Sequence, residues 1–325
     1  MFLINGFILG MTAGFTVLTA QKFGAGDMKA MRKTVGNAAI LAIIMSLIMT
    51  VLGMMAMKPL LGIMKTPDDI FKDAYAYIMV ICGGIAAQML YNFLSSVLRA
   101  LGNSKVPLYF LILAALLNIV LDMVFIIAFH MGAAGAAWAT VLGQIASLAL
   151  AVVFHFRLNR ELPFSRKALC LRRSIVGEIY SIGVPAIIAQ GAMSVMNYCV
   201  NLIFGSLDSS YVTAYGIVYK IQQFVLFAAF GLRDAITPIV SFSYGMQNAK
   251  RIREGVRCGL MYTSVLMLVC TAAVEILAQP LAGIFSLSAG TMGLCVTGLR
   301  VLAVSFVFAG ANIAIQGVFQ ATEGG

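Results

Sequence analysis

The chain has 325 residues, 61% of them hydrophobic and 10% charged, with a net charge of +10 and a mean hydropathy of +0.97. A water-soluble domain carries roughly 25% charged residues, so this composition excludes one and fits a polytopic α-helical membrane protein. There is no phosphate-binding glycine loop for an ATP-driven pump, and no cluster of His and Cys at metal-ligand spacing.

Apolar runs are predicted over 3–21, 36–57, 74–98, 107–129, 133–156, 175–204, 211–241, 257–279 and 293–319. Each is close to the ~20 residues needed to cross a bilayer core. They are continuous rather than alternating, which excludes a β-barrel. The first run has no basic stretch before it and its polar flank follows it, so it does not read as a signal peptide.

Polar groups inside such runs are costly and therefore candidate sites. In the fourth run, Asn118 and Asp122 are spaced i, i+4 and share one helical face. A carboxylate beside an amide suits a proton or a hard cation such as Na⁺. Thr140 of the fifth run could add a hydroxyl. The sixth run carries Pro185, Gln190 and Asn197, and the seventh carries Lys220, Gln222, Gln223, Arg233, Asp234 and Pro238. Gln190, Asn197, Lys220 and Gln223 are the candidate substrate-cavity residues. Arg233 and Asp234 are expected near the cytoplasmic end, as a structural pair or a site. Glu275 is expected at the outer interface, and Arg300 and Asn312 complete the polar set of the last two runs. The six cysteines are scattered and read as ordinary apolar residues, not disulfides. His130 and His155 are expected at interfaces.

The basic residues are unevenly distributed. Lys22, Lys29, Arg32 and Lys33; Arg99 and Lys105; Arg157, Arg160, Arg166, Lys167, Arg172 and Arg173; and Lys250, Arg251, Arg253 and Arg257 fall in loops on one side. Only Lys58, Lys65 and Lys72 fall on the other. Basic loops mark the cytoplasmic side, so the net charge reports topology in a plasma membrane rather than a nucleic-acid partner.

Residues 24–104 and 245–325 align without a gap at an offset of 221. Gly24, Lys29, Arg32 and Val35 fall on Gly245, Lys250, Arg253 and Val256, and Pro59, Leu60, Gly62 and Ile63 on Pro280, Leu281, Gly283 and Ile284. The repeat divides the chain into an amino-terminal lobe (1–157), a cytoplasmic inter-lobe loop (158–174) and a carboxy-terminal lobe (175–325). Extending each missing counterpart predicts a twelve-helix protein of roughly 430 residues, with the first helix and the last two lying outside this chain. Two six-helix lobes would then be related by a pseudo-two-fold axis along the membrane normal, which is a transporter architecture.

Several segments resemble the MATE (multidrug and toxic compound extrusion) family. They are 244–251, reading Tyr-Gly-Met-Gln-Asn-Ala-Lys-Arg, with its first copy at 23–29; Arg99-Ala100-Leu101-Gly102-Asn103-Ser104-Lys105; Asn118-Ile119-Val120-Leu121-Asp122; Gly132-Ala133-Ala134-Gly135-Ala136-Ala137; and Ile182-Gly183-Val184-Pro185. The resemblance implies antiport, in which entry of H⁺ or Na⁺ drives export of amphipathic, often cationic, small molecules by a monomer, with no other cofactor and no catalysis. Asn118, Asp122 and Thr140 match the amino-lobe cation site of the branch similar to DNA-damage-inducible proteins. That site also uses an Asp on the first helix, which has no counterpart here. The NorM-like branch uses acids on the seventh and tenth helices, and 293–319 contains none. Two other readings are open. One is a flippase for a lipid-linked precursor, which would need a strongly cationic central cavity. The other is a fragment that does not transport.

Overall fold

The computed structural model describes residues 2–63, 68–158, 169–285 and 287–322. Lys65, Arg160, Arg166 and Lys167 of the charge count, and most of the 158–174 loop, lie outside the described residues. The described residues form α1 (Phe2–Gly24), α2 (Met28–Ile63), α3 (Asp68–Ala100), α4 (Lys105–Met123), α5 (Gly132–Leu158), α6 (Arg173–Leu207), α7 (Ser209–Gly245), α8 (Ala249–Gly283) and α9 (Ala289–Thr322). All nine are long and apolar enough to cross a membrane.

Every predicted run except the fourth lies inside one helix, and the helices are longer. α2, α6, α7 and α8 have 36, 35, 37 and 35 residues. In α2 and α8 the added first turns are polar, residues 28–33 and 249–254, and lie outside the apolar run. The fourth run ends differently. After Asp122 and Met123 the helix loosens into a π-turn over Val124–Ala128, and His130 then turns out of it at φ 51°.

The repeat extends to the ends of the elements. α1 and α7 end at Gly24 and Gly245, α2 and α8 start at Met28 and Ala249, and α3 and α9 start at Asp68 and Ala289, each pair 221 apart. The intervening turns match atom for atom in their capping. Asp27 Oδ1 accepts from the Ala30 N–H at 2.8 Å, and Asn248 Oδ1 from the Arg251 N–H at 3.1 Å. Such caps satisfy backbone donors that a helix start leaves free. The residue before each cap takes a left-handed φ, 73° at Gly26 and 53° at Gln247.

Each half has its own apolar core. One gathers Ile8, Met11, Phe15, Met31, Ile85 and Met89 of α1–α3. The other gathers Val218, Ala229, Met267, Cys295, Leu299 and Phe306 of α7–α9. The halves meet through α1, which packs on α6 and α7. Gly6, Gly10 and Gly14 form the α1 ridge at this contact. A Cβ at these positions would come within 2.6–2.7 Å of Gln190 Cβ, Ile187 Cγ1 and the Ile179 carbonyl oxygen of α6. Small residues every fourth position let two helices approach at backbone distance, the main source of attraction between helices in lipid. Ile179 accordingly belongs to the first core although it follows the inter-lobe loop.

Candidate functional site

Between the halves lies a cavity of about 300 Å³ walled by α1, α6, α7 and α9. Its α1 wall, Leu9, Gly10 and Ala13, is apolar and short-chained because the glycine ridge holds α6 close. The α7 wall is Gln222, Leu226, Phe230 and Arg233, and the α9 wall includes Asn312, Gln316 and Gln320. These spacings of three and four residues each place a stripe on one helical face.

Arg233 is the cation in this lining. Its side chain is 12% exposed, against 40% for Asp234. Nε and Nη2 of Arg233 both donate to Asp234 Oδ1, at 3.0 and 2.9 Å. The guanidinium also lies 5.0 Å from the Phe230 ring centroid. Gly317 of α9 leaves the space that the Arg233 stem fills. A second space of about 30 Å³, enough for about one water, adjoins Asp234 among Thr12, Thr16, Arg99 and Thr237. Arg233 and Asp234 lie in the half of α7 that leads to the basic connections. α7 continues to Gly245, which puts Arg233 about 18 Å inside it at 1.5 Å per residue.

Of the four residues expected in the cavity, Gln190 lines it. Lys220 is exposed and outside the lining, and Gln223 donates instead to the Tyr219 hydroxyl at 2.8 Å. Asn197 continues the Gln190 stripe two turns beyond the cavity, where its Oδ1 accepts from Asn201 Nδ2 at 3.1 Å. Gln316 and Gln320 are cavity residues that the sequence reading passed over. Asn312, Gln316 and Gln320, spaced by four on an apolar helix, were the signal.

The other predicted group lies where α4 packs on α5. Asn118 Nδ2 lies 3.4 Å from Thr140 Oγ1, which itself donates to the Ala136 carbonyl at 3.0 Å. Gly143 admits the close approach, since a Cβ there would lie 3.2 Å from the Ala114 carbonyl oxygen. Asp122 stands one turn beyond Asn118, just before the π-turn. Its Oδ1 is shielded from solvent and accepts no hydrogen bond. A shielded carboxylate oxygen without a donor is costly unless it holds a proton or a cation.

One end of the molecule is closed. A Cβ on Gly24 would collide with the Phe242 carbonyl oxygen, and one on Gly245 with the Gln21 carbonyl oxygen. Gln21 and Phe242 are themselves 221 apart, so the contact is reciprocal. The Phe23 and Phe242 rings pack at a tilt of 52° with centroids 5.5 Å apart, and Gln21 Nε2 donates to the Ala321 carbonyl at 2.8 Å. The turn at Arg99–Gly102 shares a cavity with Phe23, Phe242 and Arg251, and Arg172 and Arg173 share one with Lys22 and Lys29. The four basic connections therefore lie at this same end.

Two packed halves of long apolar helices with a polar-lined cavity between them define a membrane-transporter fold. The chain belongs to the MatE family, whose family model matches residues 1–124 and 185–324. It is 31% identical over 255 residues to the probable multidrug resistance protein YpnP of Bacillus subtilis, covering 77% of this chain and 56% of that protein. It is 24% identical over 255 residues to the multidrug export protein MepA of Staphylococcus saprophyticus, covering 78% and 56%. The chain thus spans about half the length of the curated relatives it matches. Its fold matches the outward-facing structure of a multidrug resistance MATE family transporter at a TM-score of 0.95 and 22% identity, covering all of this chain and 73% of that one. A crystal structure of MATE in complex with MaL6 matches at 0.93, with 22% identity and 99% and 73% coverage.

Proposed function

We propose that this chain forms the central part of a secondary antiporter, not an enzyme, that exports amphipathic and cationic small molecules in exchange for H⁺ or Na⁺. The observation that carries this reading is the inter-half cavity. It combines apolar walls with neutral amides, and its one guanidinium is already matched by a carboxylate. About 300 Å³ is the lower range of drug-sized pockets. Amide oxygens can solvate an amphipathic cation without a fixed counter-charge, and Phe230 and Met193 offer polarizable surface. The names of the related bacterial proteins support the same substrate class. The cavity lies within one chain, in keeping with a monomer. The four basic connections at one end support a cell-membrane topology with that end cytoplasmic.

Asp122, with Asn118 and Thr140, is the coupling site in this reading. Its unpaired oxygen would be neutralised by either ion, and occupancy would bias the halves between their two arrangements. The flippase alternative gains no support from the cavity. Among the described residues Arg233 is the one cation in its lining, and Lys220 and Arg300 are exposed outside it.

The test is efflux of a fluorescent cation from vesicles under an imposed ion gradient. Asp122→Asn keeps the shape and removes the charge, and it should abolish gradient-driven efflux at equal protein level while leaving drug binding largely intact. Efflux at the wild-type rate would refute the coupling assignment. Transfer of a labelled lipid-linked phosphate in place of the dye would refute the substrate class.

A further inference from the structure

We propose that the basic end carries a binding site for the phosphate of an anionic phospholipid, built by α1 and α2 of the first half with the start of α6, and not repeated at the second copy of the α1–α2 turn. A cavity of about 640 Å³ opens there between the end of α1 and the starts of α2 and α6. Both of its acids are already engaged. Asp27 caps α2, and Glu178 pairs with Lys22 at 3.5 Å. Lys29, Lys33, Arg172 and Arg173 line the same cavity, and among the described residues none of them is ion-paired. The lining carries five cations, Lys22 included, against two carboxylates, and a bound anion would offset that excess.

Three further features point to an anion. Thr34 forms part of the wall and is fully buried, and its Oγ1 has no hydrogen-bond partner. α6 begins at Arg173 without a side-chain cap, and Ser174 and Ile175 of its first turn line the cavity. The free N–H groups and partial positive charge of such a turn favour phosphate oxygens. Arg172 is held in place because its backbone N–H donates to Asn37 Oδ1 at 2.7 Å.

The occupant is a lipid rather than a free anion because of what lies below the cavity. Ile40, Ile44, Leu47 and Val51 of α2 all fall within about 40° of Lys33 around the helix, and the last three are exposed. An acyl chain can follow this stripe while the headgroup stays among the cations. Basic pockets between membrane helices bind lipid headgroups in this manner.

Orientation of the chain in the membrane does not account for the cluster. At the equivalent positions 221 residues later, Lys22, Lys33, Thr34 and Asn37 are replaced by Ser243, Glu254, Gly255 and Cys258. The second half keeps basic residues, enough to orient it, but not this constellation.

The experiment is native mass spectrometry of the protein released from nanodiscs of equal phosphatidylglycerol and phosphatidylcholine. Wild type should retain phosphatidylglycerol preferentially. Lys33→Gln with Arg173→Gln should lower that retention about tenfold or more. Lys250→Gln with Arg257→Gln removes the same charge from the other half and should leave it unchanged. Thr34→Val, which changes no charge, should weaken retention several-fold. Lys33→Arg with Arg173→Lys should keep it, which separates a lost site from a misfolded protein. Equal loss in both double variants, equal retention of the two lipids, or full displacement by millimolar inorganic phosphate would each overturn the proposal.

Discussion

Gly24 and Gly245 occupy the same position in the two halves, and each packs against the other half's backbone carbonyl, at Phe242 and at Gln21 respectively. The contact is an interface of the isologous kind, made within one chain. It brings the two backbones into direct contact at the basic end, with the Phe23 and Phe242 rings and the Gln21 amide packed around it.

The first prediction follows from that geometry. Gly24→Val or Gly245→Val places a side chain where a carbonyl oxygen stands. Overpacking costs about 1–3 kcal/mol, so the balance should shift roughly tenfold or more toward the state open at this end. Distances between spin labels on Lys29 and Lys250 measure it. An unchanged distance distribution would contradict the gate.

The second concerns the cavity. Asp234→Asn leaves the Arg233 guanidinium largely buried and without its counter-ion. Breaking a fully buried pair costs about 3–5 kcal/mol. Asp234 keeps 40% of its side chain exposed, so about 1–3 kcal/mol is expected here. The variant should melt several degrees lower and bind cationic dyes more weakly. The double variant Arg233→Gln with Asp234→Asn should recover most of the loss, as read by thermal unfolding and dye titration.

A third prediction tests the inter-half seam. Gly10→Leu forces α1 away from Ile187 and Gly183 and should sharply lower folded yield in detergent. Gly62→Leu, where a Cβ would meet nothing within 4 Å, should be tolerated. Size-exclusion profiles of the two variants make the comparison.

The fourth addresses orientation. Cys170 and Cys258 are exposed near the basic connections, whereas Cys82 and Cys295 are buried. A membrane-impermeant maleimide should label Cys170 and Cys258 from one side only, the cytoplasmic one, while Cys82 and Cys295 resist it. Labelling of these two from opposite sides would defeat the topology.

The nine spans were legible because apolar runs bounded by charge have one physical solution in lipid. The repeat was legible from Gly24, Lys29 and their copies. Which way a polar side chain points was not. Lys220 stands about 160° around α7 from Gln222, at 100° per residue, so one faces out while the other faces the cavity. Choosing between them needs the neighbouring helices, which the α7 sequence does not contain. Asn118 and Asp122 were readable as a pair from their i, i+4 spacing, whereas Thr140 joined them through the family resemblance. The Gly6, Gly10 and Gly14 ridge was equally visible by spacing, but only its partner on α6 shows that it joins the halves.

Helix length has a mechanical consequence. α7 has 37 residues, about 55 Å at 1.5 Å per residue, whereas the hydrocarbon core is about 30 Å thick. Each such helix is a stiff lever pivoted in the bilayer. A tilt of about 10° displaces either tip by about 5 Å, close to one helical turn. Small rotations at the cavity can therefore part Gly24 from Gly245, and the length of helix beyond the hydrocarbon core is what gives the motion its reach.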